Sequence, residues 1–559
     1  SKLVKLRRFE KFTLKQSMRK IKLSRYHLLS DQYSLLKHKV LEHWIFWFFS
    51  SIVVPLVQAN FYVTEAEHEK QDIFYYRKPM WENIISKFAT FLRDQGYQEL
   101  NVASVKKIIW NRSFGFSKVR LCPKGKGVRM LANLKASAKL PVNPPLQSKG
   151  LRKVGVGRNV KCYNYKSVNE VLKDLHLVLK HIVVNEPESL GSSVFDYNDA
   201  YKRLLPFLSL LQSGFSVKPG VFIIVPDVEK AFDSVDQDKL LSVLDDLNLE
   251  EEYFLSKVVQ VVCTKKSLRI PQNWTLVSKE NAPDSANARS CLPTGSLHGI
   301  LVKQQEQASR FFSRLQRGFR AYNCDMNKKK FGMNFQINTI PDLRSDRLYV
   351  VEDGTSFLRW SGLFINCSTL EIQADYTRYL NFPLSSTLTV GWLNKPGRDL
   401  KVKLCGYLRP KCHPIFYDSN INSAAVVRLN IYQAFLLCAM KFHCCISDLS
   451  SICRFSTKFY ADALGKSLRY MKKLIKRRMF SFKTGLDCRP ILELGKGEIE
   501  WLGLTAYIRV LKRKQSRYKE LLRVLDSKLM ALGKQESTLS VLQEATDDKR
   551  SSILWKIKY

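Results

Sequence analysis

Apolar and polar positions along the chain change period from one section to the next. Through residues 1–112, apolar positions recur at helical spacing between basic stretches such as residues 2–22. Few glycines interrupt them, which predicts a helical region. Its most apolar part, residues 44–63, imitates a membrane span, but Ser50, Ser51, Pro55, Gln58 and Asn60 break it. Only residues 44–57 are nearly free of polar groups, too short to cross a bilayer, so a buried helix is expected there. The middle section reads differently. Residues 120–133, RLCPKGKGVRMLAN, predict two strands around a Lys-Gly-Lys-Gly turn, and residues 141–157, rich in Pro, Gly and Lys, predict a loop. An amphipathic helix over 197–211 leads into the turn Lys218-Pro219-Gly220. Next come five consecutive apolar residues, 221–225, rich in β-branched side chains, the pattern of a buried strand. Pro226 ends its ladder, Asp227 stands at its carboxyl end, and Phe232-Asp233 complete the pattern D-x-x-x-x-F-D. A helix is predicted over 238–255. From about Leu380 the chain is again helical and basic, apolar at 404–408 and 426–442 and strongly charged at 472–478, KKLIKRR. There are no internal repeats or low-complexity tracts.

Charge narrows the classes of function. Lys and Arg number 91 against 50 acids, a net charge of +41 spread over 559 residues rather than held in a tail. A globular chain this basic repels itself unless a polyanion is its normal partner, which points to nucleic acid. Ribosomal and histone-like proteins share the charge but are seldom this long or this aromatic. The length allows several domains with proper cores, and ordinary apolar content argues against disorder. Thirteen cysteines form no C-x-x-C pair. Cys412-His413 and His443-Cys444-Cys445 lack zinc-site spacing, and scattered thiols suit a reducing interior such as nucleus or cytosol.

Candidate chemistry gathers at a few places. A carboxylate at the open tip of a rigid strand makes a good metal ligand, which singles out Asp227. On spacing alone, an acid capping the helix near Asp236 is the commoner outcome. Phe74, Tyr75 and Tyr76 beside Arg77 and Lys78, with Trp81 close by, could stack on unpaired bases while neutralising phosphates. A core aromatic cluster with flanking surface charge fits that composition equally well. Lys124 and Arg129 flank a glycine turn that could approach a triphosphate, although most such turns are solvated hairpins.

The Asp-Val-x-x-Ala-Phe-Asp stretch resembles motif A of reverse transcriptases, in the version found in telomerases, particularly plant telomerase reverse transcriptases. Residues 73–81 resemble the T motif of the telomerase RNA-binding domain, and residues 44–65 resemble the block that precedes it. Residues 120–133 resemble motifs 1 and 2, with Lys124 and Arg129 as nucleotide-binding residues. Asn327 to Phe335, NKKKFGMNF, resembles motif D, with Lys330 as general acid toward departing pyrophosphate. Phe357-Leu358-Arg359-Trp360-Ser361-Gly362-Leu363 with Glu371 to Tyr376 resembles motif E, with Trp360 and Gly362 as primer grip and Ser361 in place of an expected cysteine. The resemblance covers nearly the whole chain in order. It implies an α+β right-hand polymerase, with a helical RNA-binding domain at 1–112, cut short at its amino end, fingers and palm at 113–380, and a helical thumb at 381–559.

One interval departs from the family. Pro293-Thr294-Gly295-Ser296 looks like motif B, but no long helix follows. By Gln307 to Phe312 the chain already resembles the helix after motif C. Fewer than twenty residues cannot hold both a long helix and an aromatic-x-Asp-Asp hairpin. Asp547-Asp548 lies near the carboxyl end and Tyr349 to Asp353 stands in the wrong order, so motifs B and C are expected to be missing at a junction near 302–303, leaving the palm incomplete with an exposed core and sheet edge. The family implies two Mg²⁺ ions, with Asp227 and the Val228 carbonyl as metal ligands and Phe232 against the incoming sugar. It also implies template RNA, telomeric single-stranded DNA, deoxynucleoside triphosphates and accessory proteins as partners, no membrane, and a place in the nucleus at telomeres. With one carboxylate where three are needed, the chain is expected to be a poor polymerase or none. The alternatives are a non-catalytic RNA- and DNA-binding form, and a retroelement or intron-type reverse transcriptase, which shares motif A but leaves residues 73–81 unexplained.

Overall fold

The structure is a computed structural model that describes residues 31–65, 73–141, 162–185, 193–213, 221–246, 254–277, 300–336, 347–481 and 489–559, save for gaps of one to five residues within these blocks. The chain divides into two compact units, Ser1–Gly191 with Glu250–Arg289, and Ser192–Leu249 with Ser290–Tyr559. Phe232, the Lys218-Pro219-Gly220 turn, residues 142–157 of the expected loop, and the Pro293-to-Ser296 segment lie outside the described residues.

In the first unit a helix runs from Asp31–Trp47 through a π-helical segment, Phe48–Val53, into Val54–Asn60. Over His38–Asn60 it is long and apolar enough to cross a membrane, and only 6% of its most apolar window is buried. The expected buried helix is therefore corrected. Trp44, Phe46, Trp47 and Leu56 are all more than half exposed, and among the described residues little covers them. The expected helical region to residue 112 also contains strands. Phe61–Glu65 and Ile73–Arg77 pair antiparallel with Tyr62 opposite Tyr76, because alternating aromatic and β-branched side chains suit a pleated surface better than a helix. Helix Lys78–Asp94 follows directly, with Pro79 in the first turn, where its missing N–H costs no bond. Val119–Lys124 and Gly127–Ala132 form the predicted hairpin, and Gly127 takes φ +101° at the turn. The predicted helix over 238–255 is shorter. It spans Gln237–Asp246, and Leu255 belongs to strand Phe254–Val259, paired with Gln272–Val277.

The second unit is built around strand Phe222–Val225. Ile223 and Val225 belong to one hydrophobic core, while Ile224 belongs to a second with Ala308, Phe312, Leu315, Met326, Phe331 and Met333. A strand buried on both faces must be apolar at every position, which explains the unbroken run. It is paired antiparallel on both sides, with Ile300–Val302 and with Gly332–Met333. The central strand is therefore not an edge, and the outer strands of this three-stranded sheet are Ile300–Val302 and Gly332–Met333. Residues just before the presumed junction supply a neighbour to the central strand. Asn334 extends the ladder with its side chain, accepting from Ile223 N–H at 2.7 Å and donating to the Val221 carbonyl at 2.8 Å. Strands Leu348–Val350, Ser356–Trp360, Leu363–Asn366 and Ile372–Ala374 make an antiparallel meander. Beyond it stand helices Pro396–Leu408, Ala424–Leu449, Thr457–Ser481, Glu498–Lys512 and Gln515–Ala531. Ala424–Leu449 is also apolar enough to span a membrane, but 89% of its window is buried, which makes it the core helix of this bundle. The chain is thus α+β, as expected.

Candidate functional site

Asp227 leaves the end of the central strand and is clamped by the chain beside it. Its carbonyl accepts from Asn327 N–H at 2.7 Å, and Glu229 N–H donates to the Asp325 carbonyl at 2.8 Å. These two bonds bracket the bridge between Val228 and Met326. In that antiparallel pattern the N–H and C=O of Val228 itself point away from the 325–327 segment, so its carbonyl faces the other side. The Asp227 side chain is 36% exposed and lies between two cations: Arg347 Nη2 is 3.2 Å from Oδ1, and Lys330 Nζ is 3.9 Å from Oδ2.

Sequence reasoning singled out Lys330 and missed Arg347. Strand geometry places Arg347 here. Arg359 N–H donates to its carbonyl at 2.9 Å, continuing the ladder of the meander. Gly332 lets the two segments approach, since a Cβ built there would lie 2.6 Å from the Arg347 Cβ. The glycine of the motif D-like segment was the available signal for that close approach. Lys330, Arg347, Arg359, Trp360, Gly362 and Asp375 line a cavity of about 320 Å³. The structure thus brings Asp227, Lys330, Trp360 and Gly362 into one neighbourhood. Ser361 and Gly362 make the tight turn at φ +50° and +80°, and the Tyr197 hydroxyl donates to the Ser361 carbonyl at 2.8 Å. Burial raises the pKa of that hydroxyl, which keeps it a donor.

Among the described residues no group of three or more His, Cys, Asp or Glu side chains comes together as a metal site. Asp548 is paired with Arg509 in the carboxyl-terminal region. Asp325 stands beside Gly318, whose added Cβ would meet Asp325 Oδ1 at 2.3 Å. Cys412, Cys444 and Cys445 are buried free thiols, and His443 Nδ1 is 3.0 Å from the Tyr518 hydroxyl. The residues described do not fit a two-metal centre.

In the first unit, Trp81 is only 5% exposed and stacks on Tyr62 with ring centroids 4.0 Å apart, while Tyr76 lies 5.3 Å from it. Trp81 therefore fastens the hairpin to the helix, and its role as a base-stacking platform is corrected. Phe74 and Tyr76 are half-buried, whereas Arg77 and Lys78 are exposed. Lys124 and Arg129 are exposed and share one face of their hairpin, since Lys124 faces Gly127 and Cys122 faces Arg129. Arg120 of the same face pairs with Glu65, which ties this hairpin to the aromatic one.

Comparison with known proteins settles the family. Residues 1–92 match the family described as Telomerase ribonucleoprotein complex - RNA binding domain, and residues 398–526 match Telomerase reverse transcriptase, C-terminal extension. A telomerase reverse transcriptase of Arabidopsis thaliana is 34% identical over an alignment that covers all of this chain and 57% of the relative. One from Oryza sativa subsp. japonica is 34% identical, covering all of this chain and 51% of the relative. The chain belongs to the telomerase reverse transcriptase family. It spans about half the length of these relatives. The Arabidopsis alignment runs over 677 positions against the 559 residues here, an excess of 118. The telomerase reverse transcriptase of that plant thus carries at least that many residues, within the aligned span, that have no counterpart in this chain. A solved telomerase from Candida albicans, in complex with a TWJ fragment of telomeric RNA, shares the fold with a TM-score of 0.59 at 14% identity. The match covers 93% of this chain and 83% of that one.

Proposed function

We propose that this chain is a form of the telomerase catalytic subunit that keeps its RNA- and DNA-binding surfaces and has lost most or all of its polymerase chemistry. In the full enzyme, RNA-templated addition of telomeric repeats to chromosome 3′ ends proceeds by attack of the primer hydroxyl on a nucleotide's α-phosphate, with two Mg²⁺ ions stabilising the entering and leaving oxygens. That chemistry needs several carboxylates to offset the repulsion of two divalent ions held close together.

The observation that carries this reading is Asp227 with two cations at its carboxylate, where among the described residues no group of three or more His, Cys, Asp or Glu side chains comes together as a metal site. The excess of 118 aligned positions, summed over the whole alignment, is enough to hold motifs B and C. Loss of such a ligand set lowers the rate by orders of magnitude. Template RNA would be held through the first unit, by Arg77 and Lys78 with Phe74, and single-stranded DNA by the basic second unit, in the nucleus at chromosome ends with the usual accessory proteins. Deoxynucleotide contacts by Lys124, Arg129 and Phe232 belong to the same reading.

Primer extension by the purified chain with annealed template, Mg²⁺ and deoxynucleotides tests it, with Asp227→Ala as control. The expected result is no extension by either protein, alongside RNA binding that weakens steeply with salt. Extension that disappears in Asp227→Ala would overturn the reading, because further carboxylates would then have to complete the metal site.

A further inference from the structure

The turn between strands Ser356–Trp360 and Leu363–Asn366 holds an unfavourable backbone at its tip. Ser361 is one of three non-glycine residues with positive φ among the described residues, and Gly362 follows at φ +80°. A serine there is disfavoured by its own Cβ, so neighbouring contacts must hold it in place. Both carbonyls of the turn are engaged. That of Gly362 accepts from Asp375 N–H at 3.0 Å, a bond within the meander. That of Ser361 accepts from the Tyr197 hydroxyl at 2.8 Å, across 164 positions of sequence. Tyr197 is itself fixed before it reaches the turn. It opens helix Tyr197–Ser213, where Asp196 Oδ1 accepts from Asn198 N–H at 2.7 Å and Asp199 N–H at 3.0 Å, an N-terminal cap. Its ring stands edge-on to the buried His413 and Phe416, with centroids 5.8 and 6.2 Å away. Packing thus sets the ring, and the hydroxyl sets the turn.

We propose that Tyr197 is a positioning residue for a DNA 3′ end, its hydroxyl keeping the Trp360-Ser361-Gly362 turn in the shape that receives the end of a single strand. It acts through the turn and does not touch the DNA. The inference rests on the functional reading above, in which the second unit holds single-stranded DNA. Trp360 and Gly362 share a cavity with Lys330 and Arg347, the two cations at Asp227, so the turn stands where a primer terminus would react in the full enzyme. Gly362 is exposed and Ser361 only half-buried. One hydrogen bond to such a turn adds little to global stability, and its main effect is on the shape of the tip. Without the hydroxyl, Ser361 is released toward the negative φ that its side chain prefers, and the tip moves with it.

The test is titration of the full chain with a linear single-stranded oligodeoxynucleotide and with the same sequence closed into a circle, which has no end. The parent chain should bind the linear strand more tightly. Tyr197→Phe keeps the ring packing and loses only the hydroxyl. It should weaken binding of the linear strand about fivefold, in line with loss of one hydrogen bond, and leave binding of the circle and the melting temperature unchanged. Adding Ser361→Gly, which adopts positive φ without a Cβ penalty, should recover part of that loss. Equal binding of the two strands by the parent chain, no loss in Tyr197→Phe, equal loss on both strands, or no recovery with Ser361→Gly would each overturn the proposal. A parent chain that binds neither strand would instead sink the functional reading on which it rests. A parent chain that prefers the linear strand, with Tyr197→Phe binding it equally well, would sink this inference alone.

Discussion

His413 shows how one residue couples packing to pH. Its Nδ1 accepts from Ile415 N–H at 3.1 Å and its Nε2 faces Asn198 Oδ1 at 3.0 Å, an arrangement that requires the neutral ring protonated on Nε2. Burial, with Arg478 nearby, pushes the imidazole down to about 4. The unfolded chain binds the proton more readily, so stability is complete above the ordinary value of 6.5 and is lost as pH falls from there toward about 4. His413→Asn keeps an acceptor within reach of Ile415 N–H but cannot titrate. Its melting temperature should therefore fall less between about pH 7 and about pH 5 than that of the parent chain, as measured by differential scanning calorimetry. Lys411 titrates at the alkaline end. Burial and the neighbouring Arg378 lower it to about 8, so its charged form costs stability below that value, and the cost is relieved as pH rises toward 10.5. Lys411→Met should raise the melting temperature at neutral pH, and the gain should shrink in alkaline buffer. At this scale the sequence was informative only where chemistry and rigidity coincide. Asp227 was legible because it ends a dense apolar run, whereas Arg347 was not, because its partner lies 120 residues earlier and is met only through strand pairing.

At the scale of elements, turns and close approaches decide most. The turn Ser361-Gly362 requires positive φ at both residues, and a Cβ on Gly362 would also lie 3.3 Å from the Tyr197 hydroxyl. Gly362→Ala should cost about 1–2 kcal/mol of stability by denaturant unfolding, from the left-handed backbone alone. Gly503 marks a second contact, where helix Glu498–Lys512 meets Leu468 and Phe435. A Cβ there would lie 2.3 Å from Leu468 Cδ2 and 3.0 Å from Phe435 Cε2. Gly503→Ala should destabilise by about 1–3 kcal/mol, because the buried Leu468 and Phe435 must shift to admit the methyl. Element type was readable where period was strong, as in the Val119–Lys124 hairpin and the carboxyl-terminal helices. It was not readable at residues 61–77, where aromatic-rich strands embedded in basic helical sequence carry too few residues to show period 2.

Across the whole molecule, a buried ion pair joins distant parts of the carboxyl-terminal bundle. Arg428 Nη2 lies 3.0 Å from Glu498 Oε1 and 2.9 Å from Oε2, with both side chains almost fully buried. Removing one member leaves the other charge without compensation, so Glu498→Ala should lose about 3–5 kcal/mol. Glu498→Ala combined with Arg428→Met should recover much of that loss, as a double-mutant cycle would show.

The sequence by itself determined the regular features. Charge density pointed to a polyanion, period and run length placed the central strand and the carboxyl-terminal helices, and ordered motifs carried the family resemblance. Only tertiary structure decided what each side chain faces. It covered Trp81, bared Trp44 and Trp47, closed both edges of the central strand, and set Arg347 and Lys330 against Asp227. The physical reason is that period and composition record a residue's own preference for apolar or aqueous surroundings. Burial of a ring or pairing of a charge depends on residues brought near by folding, and local sequence holds no record of them.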